Sequence, residues 1–309
     1  MAKKVLIVLF LLLICLSLIV PIIYASSLWD FITEYATTNT NVTIVVSSIV
    51  VPFVSQPASL NVTESSFTTI YVWFNATIPN GDYNNINKSS AKVNVSRSGE
   101  TPRYNETCIN YSQGTDYVMF NCTIRVWYWD GAGNWTINAS IKDTSGNMGT
   151  NTTLNMTLSE STCFVSSPTS LTWATVIPSA TNQTSNNDPS LLNNTCNKDI
   201  ATNGVQLRGL NLHGVTTNIT NYIGVGNFTV DIETGSSLEC IGGTSLVNNS
   251  FQAITSSILT AGNNSLSLGN ETSGQEQLYY CVPTVPASPP ITAQTYSTAY
   301  LGPWVLQIL

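Results

Sequence analysis

The residues with the clearest chemical meaning in this chain are asparagines. The N-x-S/T triplet, the acceptor motif for N-linked sugar, occurs nineteen times: at Asn41, Asn61, Asn75, Asn87, Asn94, Asn105, Asn110, Asn121, Asn134, Asn138, Asn151, Asn155, Asn182, Asn193, Asn218, Asn227, Asn248, Asn263 and Asn270. Composition alone accounts for roughly eight such triplets in a chain so rich in Asn, Ser and Thr, so the excess marks them as acceptors. The chemistry they imply is covalent attachment of glycans at the carboxamide nitrogen, which requires a route out of the cytoplasm.

Catalytic constellations are scarce by comparison. His213, in "LNLHGVTTN", is the only imidazole, and no G-x-S-x-G elbow accompanies it. It reads as a strand-end histidine bonded to backbone. The acidic residues suggest no spaced pair for glycoside cleavage. Asp116, Asp130 and Asp143 lie near predicted turns, where loop oxygens suit calcium, but none forms an EF-type loop and turn-making is their default role. No cofactor motif is present, and no resident metal is expected.

Cysteines and tryptophans supply the remaining candidates. Cys15 falls in an N-terminal apolar run, leaving Cys108, Cys122, Cys163, Cys196, Cys240 and Cys281, an even set suited to disulfides in an oxidising compartment. Their connectivity is open, and nearest-neighbour pairing keeps each bridge within one domain. Zinc is disfavoured, because no two of these cysteines have the short spacing of a tetrahedral site. In "RVWYWDG", Val126 and Tyr128 continue the inward row of Cys122 and Ile124, so Trp127 and Trp129 face outward. Exposed tryptophans mark contacts with a sugar, another domain or a neighbouring subunit, which makes this pair the candidate binding residues.

The elements that must position these groups are strands. In "NWTINASIKDTSGNMGTNTTLNMT", Trp135, Ile137, Ala139 and Ile141 share one face, while Asn134, Thr136, Asn138, Ser140 and Lys142 share the other. Across a turn at Asp143–Asn147, Thr152, Leu154, Met156 and Leu158 alternate with Asn151, Thr153, Asn155 and Thr157. This hairpin is expected to bury one face and point all four acceptors away from the core. "LNVT", "FNAT", "VNVS", "FNCTI" and "NFTVDI" repeat the alternation. Further strands are expected at Ser59–Thr63, Thr69–Ile78, Lys92–Ser96, Tyr117–Tyr128, Ser170–Ile177, Val205–Leu212, Asn227–Ile232, Gln277–Val282 and Trp304–Leu309. Cys108 is placed in a loop tied to the strand of Cys122, and "VPTVPASPP" is too proline-rich for a central strand.

These patterns divide the chain into residues 1–25, a signal peptide or membrane anchor; 26–41, a stalk; 42–160, a first β-sandwich; and 161–309, a second, disulfide-bonded one. Lys3 and Lys4 precede an apolar run from Val5 to Ile23 that closes on Tyr24-Ala25-Ser26. A secretory signal cleaved after Ala25 and an uncleaved anchor both fit, and both send the remainder outside. Beyond Lys4 there are eight basic residues against seventeen acidic ones, a balance of −9, which excludes nucleic acid as a partner. With so few ionisable groups, solubility falls to hydroxyls, amides and sugar.

"GNWTINASIKDTSGNMGTNTTLNMTL" resembles the closing strands of immunoglobulin-like domains in secreted archaeal and bacterial surface proteins. The likeness covers residues 117–158, with an echo at 296–309, where "YLGPWVLQIL" follows the pattern of "YWDGAGNWTINA". It implies an all-β fold of two tandem immunoglobulin-like β-sandwich domains. The sparse Lys and Arg and the dense acceptors are similar to archaeal surface-layer and appendage glycoproteins. The function this implies is non-catalytic: a cell-surface structural or adhesion protein, self-associating into a lattice or filament or contacting other surface proteins. The alternatives are a carbohydrate- or protein-binding surface receptor and a secreted hydrolase.

Overall fold

The computed structural model describes residues 49–79, 81–216, 218–232, 238–262, 274–287 and 292–309, all within one compact unit, Ser47–Leu309. The signal or anchor segment, the stalk, Asn41, Asn263 and Asn270 lie outside the described residues. No helix among those residues is long and apolar enough to cross a membrane. Among the described residues the fold is all-β, with one short α-helix at Leu238–Ile241 and 3-10 turns at Tyr83–Asn85 and Val225–Asn227.

Eight strands build the first half: β1 (Val50–Ser55), β2 (Ser59–Leu60), β3 (Phe67–Thr77), β4 (Ile86–Ser96), β5 (Arg103–Gln113), β6 (Tyr117–Trp127), β7 (Gly133–Asp143) and β8 (Met148–Leu158). Six of these, β3 to β8, are eleven residues long, enough for each to send five or six side chains to a common interior. Their hydrogen-bonded order is β1-β3-β6-β5-β4-β7-β8-β2. β5 and β4 join only where Tyr104 and Arg103 face Asn94 and Val95. The order therefore folds at that seam into two layers, β1-β3-β6-β5 and β4-β7-β8-β2, and β4 packs against β6 and β3 across the interior. β2 runs parallel to β8, while the other pairs are antiparallel.

Alternation explains the core. Val72, Phe74 and Ala76 of β3, Val118, Phe120, Cys122 and Ile124 of β6, Val93 and Val95 of β4, and Trp135, Ile137, Ala139 and Ile141 of β7 are all buried in one cluster. Phe74 and Phe120 sit directly opposite and stack at 5.0 Å. Each large side chain so buried contributes roughly 1.5–3 kcal/mol. The Trp135 indole is also satisfied, its Nε1–H donating to the Gly131 carbonyl at 2.9 Å.

The second half is made of shorter pieces: β9 (Phe164–Ser167), β10 (Thr181–Thr184), β11 (Ser190–Asn194), β12 (Val205–Arg208), β13 (Leu212–Gly214), β14 (Asn218–Ile223), β15 (Thr229–Asp231), β16 (Thr244–Ser245), β17 (Phe251–Ala253), β18 (Gln275–Thr284), β19 (Tyr296–Ser297) and β20 (Val305–Ile308). Only β18 is long. It pairs with β11, β15 and β10 along its length and anchors the order β16-β15-β18-β11-β9. Two three-stranded sheets, β17-β12-β20 and β14-β13-β19, complete the fold. The strand order of the first half is not repeated here. Ser170–Ile177, expected as a strand, has no ladder: Thr172 N and Ala174 N bond instead to the side-chain oxygens of Asn187 and Asn186, both at 3.0 Å.

A polar joint ties the halves. Asn197 is buried; its Nδ2 donates to the carbonyls of Asp130 and Ser159, at 3.2 and 3.0 Å, and its Oδ1 accepts from Ser161 N at 2.8 Å. Thr195 donates its hydroxyl to Glu64 Oε1 at 2.7 Å, and its carbonyl accepts from Ser65 N at 3.0 Å.

Candidate functional site

The acceptor asparagines follow the pleat. Fifteen of them have described side chains, and not one of these residues is buried; Asn61, Asn110, Asn134, Asn155, Asn182 and Asn248 are exposed. On β7, Asn134 and Asn138 point out while Trp135, Ile137 and Ala139 point in. The expectation for Asn151 is corrected. Between Ile137↔Leu154 and Ala139↔Asn151, β8 carries one extra residue, a bulge that switches its alternation. Asn151 therefore faces buried Ala139, and its Nδ2 donates to the Val51 carbonyl of β1 at 2.8 Å. Thr152, expected inside, is exposed for the same reason.

Some acceptor side chains also serve the fold. Asn105 Oδ1 accepts from Val93 N at 2.9 Å, and Asn227 Nδ2 donates to the Gly224 carbonyl at 2.9 Å. Asn94 and Asn138 face each other directly across β4 and β7. Asn75, Asn121 and Asn138 each enclose a side-chain Oδ1 that has no hydrogen-bond partner.

Trp127 lies on the outer side of β6 as expected, half-buried, whereas the expectation for Trp129 is corrected. β6 ends at Trp127, so Trp129 belongs to the following turn and not to the strand's alternation. The two indoles stack at 4.7 Å, Trp129 packs on the core, and Phe67 meets Trp127 edge-on at 5.3 Å. An exposed apolar surface lies further along the outer face of β3-β6-β5, where Tyr71, Ile109 and Tyr111 are more than half exposed.

Cys108 pairs with Cys122, Cys163 with Cys196 and Cys240 with Cys281. Cys108 is a strand residue of β5, directly opposite Cys122 on β6, with Cα atoms 4.0 Å apart; the expected loop attachment is corrected. β5 was missed because its residues are mostly exposed and two bulges break any alternation. Three disulfides suit an extracellular or secreted protein.

The turn aspartates are not brought together. Asp143 caps the β7-β8 turn: its Oδ1 accepts from Ser145 N and Asn147 N at 2.9 and 2.8 Å, and its Oδ2 from Asn147 Nδ2 at 2.8 Å. The Asn147 amide chiefly, helped by the backbone N–H groups of Asn147, Ser145 and Gly146, outweighs the opposing effect of burial and holds the Asp143 carboxyl below the usual carboxylate range. Asp130, fully buried, is clasped by the Arg103 guanidinium and accepts from Trp127 N at 2.8 Å. Among the described residues no three of His, Cys, Asp and Glu converge as metal ligands. His213, expected at a strand end and bonded to backbone, lies in the short strand β13. Its ring is buried between Tyr222 and Tyr300, at 5.7 and 5.4 Å, with Nδ1 unpartnered.

A feature that the sequence did not reveal is an apolar groove of about 1370 Å³ in the second half, whose walls include Leu171, Trp173, Ile177, Leu212, Phe228 and Trp304. Phe228 meets Trp173 and Trp304 edge-on, at 5.3 and 5.2 Å. Both indole N–H groups are spent on backbone, Trp173 on the Gln183 carbonyl and Trp304 on that of Leu210. Burial pushes the Tyr280 phenol below this groove far above its ordinary value.

No family model and no curated protein matches the chain. Among solved structures, one similar chain is a GspB Siglec domain, at 14% identity with a TM-score of 0.23; the match covers 44% of this chain and 65% of that one, less than two thirds of its length.

Proposed function

We propose that this chain is a non-catalytic, N-glycosylated cell-surface protein with a structural or adhesive role, and that its first half is an immunoglobulin-like sandwich. The layers β1-β3-β6-β5 and β4-β7-β8, with β2 added parallel to β8, follow the strand plan of such domains. The observation that carries the functional reading is the solvent-side position of the acceptors: Asn75 on β3, Asn94 on β4, Asn121 on β6 and Asn138 on β7 each stand between two buried apolar neighbours. Sugar on those faces would solubilise a surface poor in charge and keep the sheets from pairing edge to edge or face to face. The partners under this reading are further copies of the chain, in a lattice or filament, or other surface proteins.

A test is secretion from an N-glycosylating host followed by glycopeptide mass spectrometry and light scattering. Sugar on most outward acceptors together with concentration-dependent assembly is expected. An unmodified monomer would overturn the reading. The groove between Trp173 and Trp304 favours one alternative, a surface receptor for a carbohydrate or protein ligand. That alternative predicts ligand capture on a glycan or protein array with no change in oligomeric state.

A further inference from the structure

The outer face of the β3-β6-β5 layer places aromatic rings directly around one acceptor. Asn121 on β6 lies opposite Trp73 on β3 and opposite Ile109 on β5, so both flanking side chains stand next to it on the same face. Directly opposed pairs on neighbouring strands have Cβ atoms about 4.5–5.5 Å apart. Tyr111 reaches from β5 across β6 to meet the Trp73 ring edge-on at 4.6 Å, which lays a pair of rings over the strand beside Asn121. Tyr111 and Ile109 remain 62% and 56% exposed, an arrangement that leaves apolar surface in water beside an acceptor. The Asn121 Oδ1 is enclosed without a hydrogen-bond partner, while the residue as a whole is only half-buried. Asn75, two residues from Trp73 on the same face of β3, has the same enclosed oxygen.

We infer that this patch is a built seat for the chain's own carbohydrate: the first sugar on Asn121 lies against Trp73, Tyr111 and Ile109 and completes the outer face of the sheet. The inference rests on the reading of Asn121 as a glycan acceptor. A pyranose ring presents C–H groups of slight positive charge on one face, which complement the negative face of an aromatic ring, and its contact removes apolar surface from water. The tether makes the contact intramolecular, so no translational freedom is lost when it forms. The occupant is thus a segment of covalently attached sugar and not a separate protein. The sugar at Asn134 makes the contrast, since that exposed residue has a threonine, Thr157, across the strand in place of an aromatic ring.

The experiment is a double-mutant cycle on the full chain secreted from an N-glycosylating host. The wild type, Trp73→Ala, Asn121→Gln and the double variant are compared by thermal unfolding, with glycopeptide mass spectrometry of Asn121 as a separate readout. With sugar present at Asn121, Trp73→Ala is expected to lower Tm by about 2–4 °C more than it does in the Asn121→Gln background. Tyr111→Ala, at a more exposed ring, serves as the second variant if Trp73→Ala does not fold, and is expected to show coupling of the same sign. Equal losses in both backgrounds, with sugar present, would overturn the seat and leave the acceptor reading intact. An unmodified Asn121 would overturn both at this position.

Discussion

The two halves of the molecule solve the same problem by different means. In the first, the eleven-residue strands other than β5 bury an almost purely apolar interior, and the buried polar side chains, Asp130 and Asp143, sit in a turn and at a strand end. In the second, Ser190, Asn194, Gln275, Glu276 and Gln277 are buried within the strands themselves. Side-chain amides and carboxylates there take the place of ladder partners: Glu276 Oε2 accepts from Ile258 N at 2.6 Å, and Asn194 Nδ2 donates to the Lys198 carbonyl at 2.7 Å. Long alternating strands let the pleat separate sugar from core without further help. Short strands leave backbone groups that only side chains can satisfy, and each such group costs about 1–3 kcal/mol if left unmet.

Breaking the apolar half should have the largest effect. Trp135→Ala removes a buried indole and its bond to Gly131 and is expected to cost about 3–5 kcal/mol, measurable as a shift of the urea midpoint. A loss below 1 kcal/mol would mean that the sandwich interior is not what holds this half. Next comes the staple of the irregular half. Replacing Cys163 and Cys196 together by serine should cost about 2–4 kcal/mol. The matching change at Cys108 and Cys122 should cost less, because it closes a 14-residue separation already held by the β5-β6 ladder, against 33 residues for the other bridge. Equal losses would erase the distinction between the halves.

Smaller effects sharpen it. Asn187→Ala deprives Thr172 N, the Ser185 hydroxyl and the Ser170 carbonyl of a partner at once, and should lower stability by about 1–3 kcal/mol. Amide exchange at Thr172 should accelerate in that variant while amides in β6 and β7 are unchanged. The smallest effect concerns pH. Asp143 has a carboxyl held lower in the folded chain than in the unfolded one, so its contribution is present above the unfolded value and is lost as pH falls through the folded one. The Tm of Asp143→Ala should therefore fall less steeply on acidification than that of the wild type, with the gap closing at low pH. A constant gap would show that the carboxylate is not preferentially bound in its charged form.

What could be read from the sequence follows the same division. β3, β6, β7 and the Lys92–Ser96 end of β4 were legible because side chains there turn alternately to a buried face and an open one. The bulge in β8 was not, since an inserted residue changes no local preference and is visible only against its partner strand. β5 was hidden by exposure along nearly its whole length. In the second half, Leu171 and Trp173 imitate strand alternation while lining a groove, and Gln275 and Glu276, polar residues ahead of the expected strand, are buried in β18. The ring pair at Trp73 and Tyr111 depends on which strands become neighbours, something no local pattern encodes.

The most direct test of the whole account is a site-by-site map of sugar occupancy by glycopeptide mass spectrometry on protein secreted from an N-glycosylating host. High occupancy is expected at Asn61, Asn121, Asn134 and Asn155, with little or none at Asn151, whose amide is spent on β1, and with one but not both of the facing pair Asn94 and Asn138 filled. Sugar at Asn151 with bare asparagine at Asn134 and Asn155 would contradict the claim that the pleat of the sandwich decides where the glycans go.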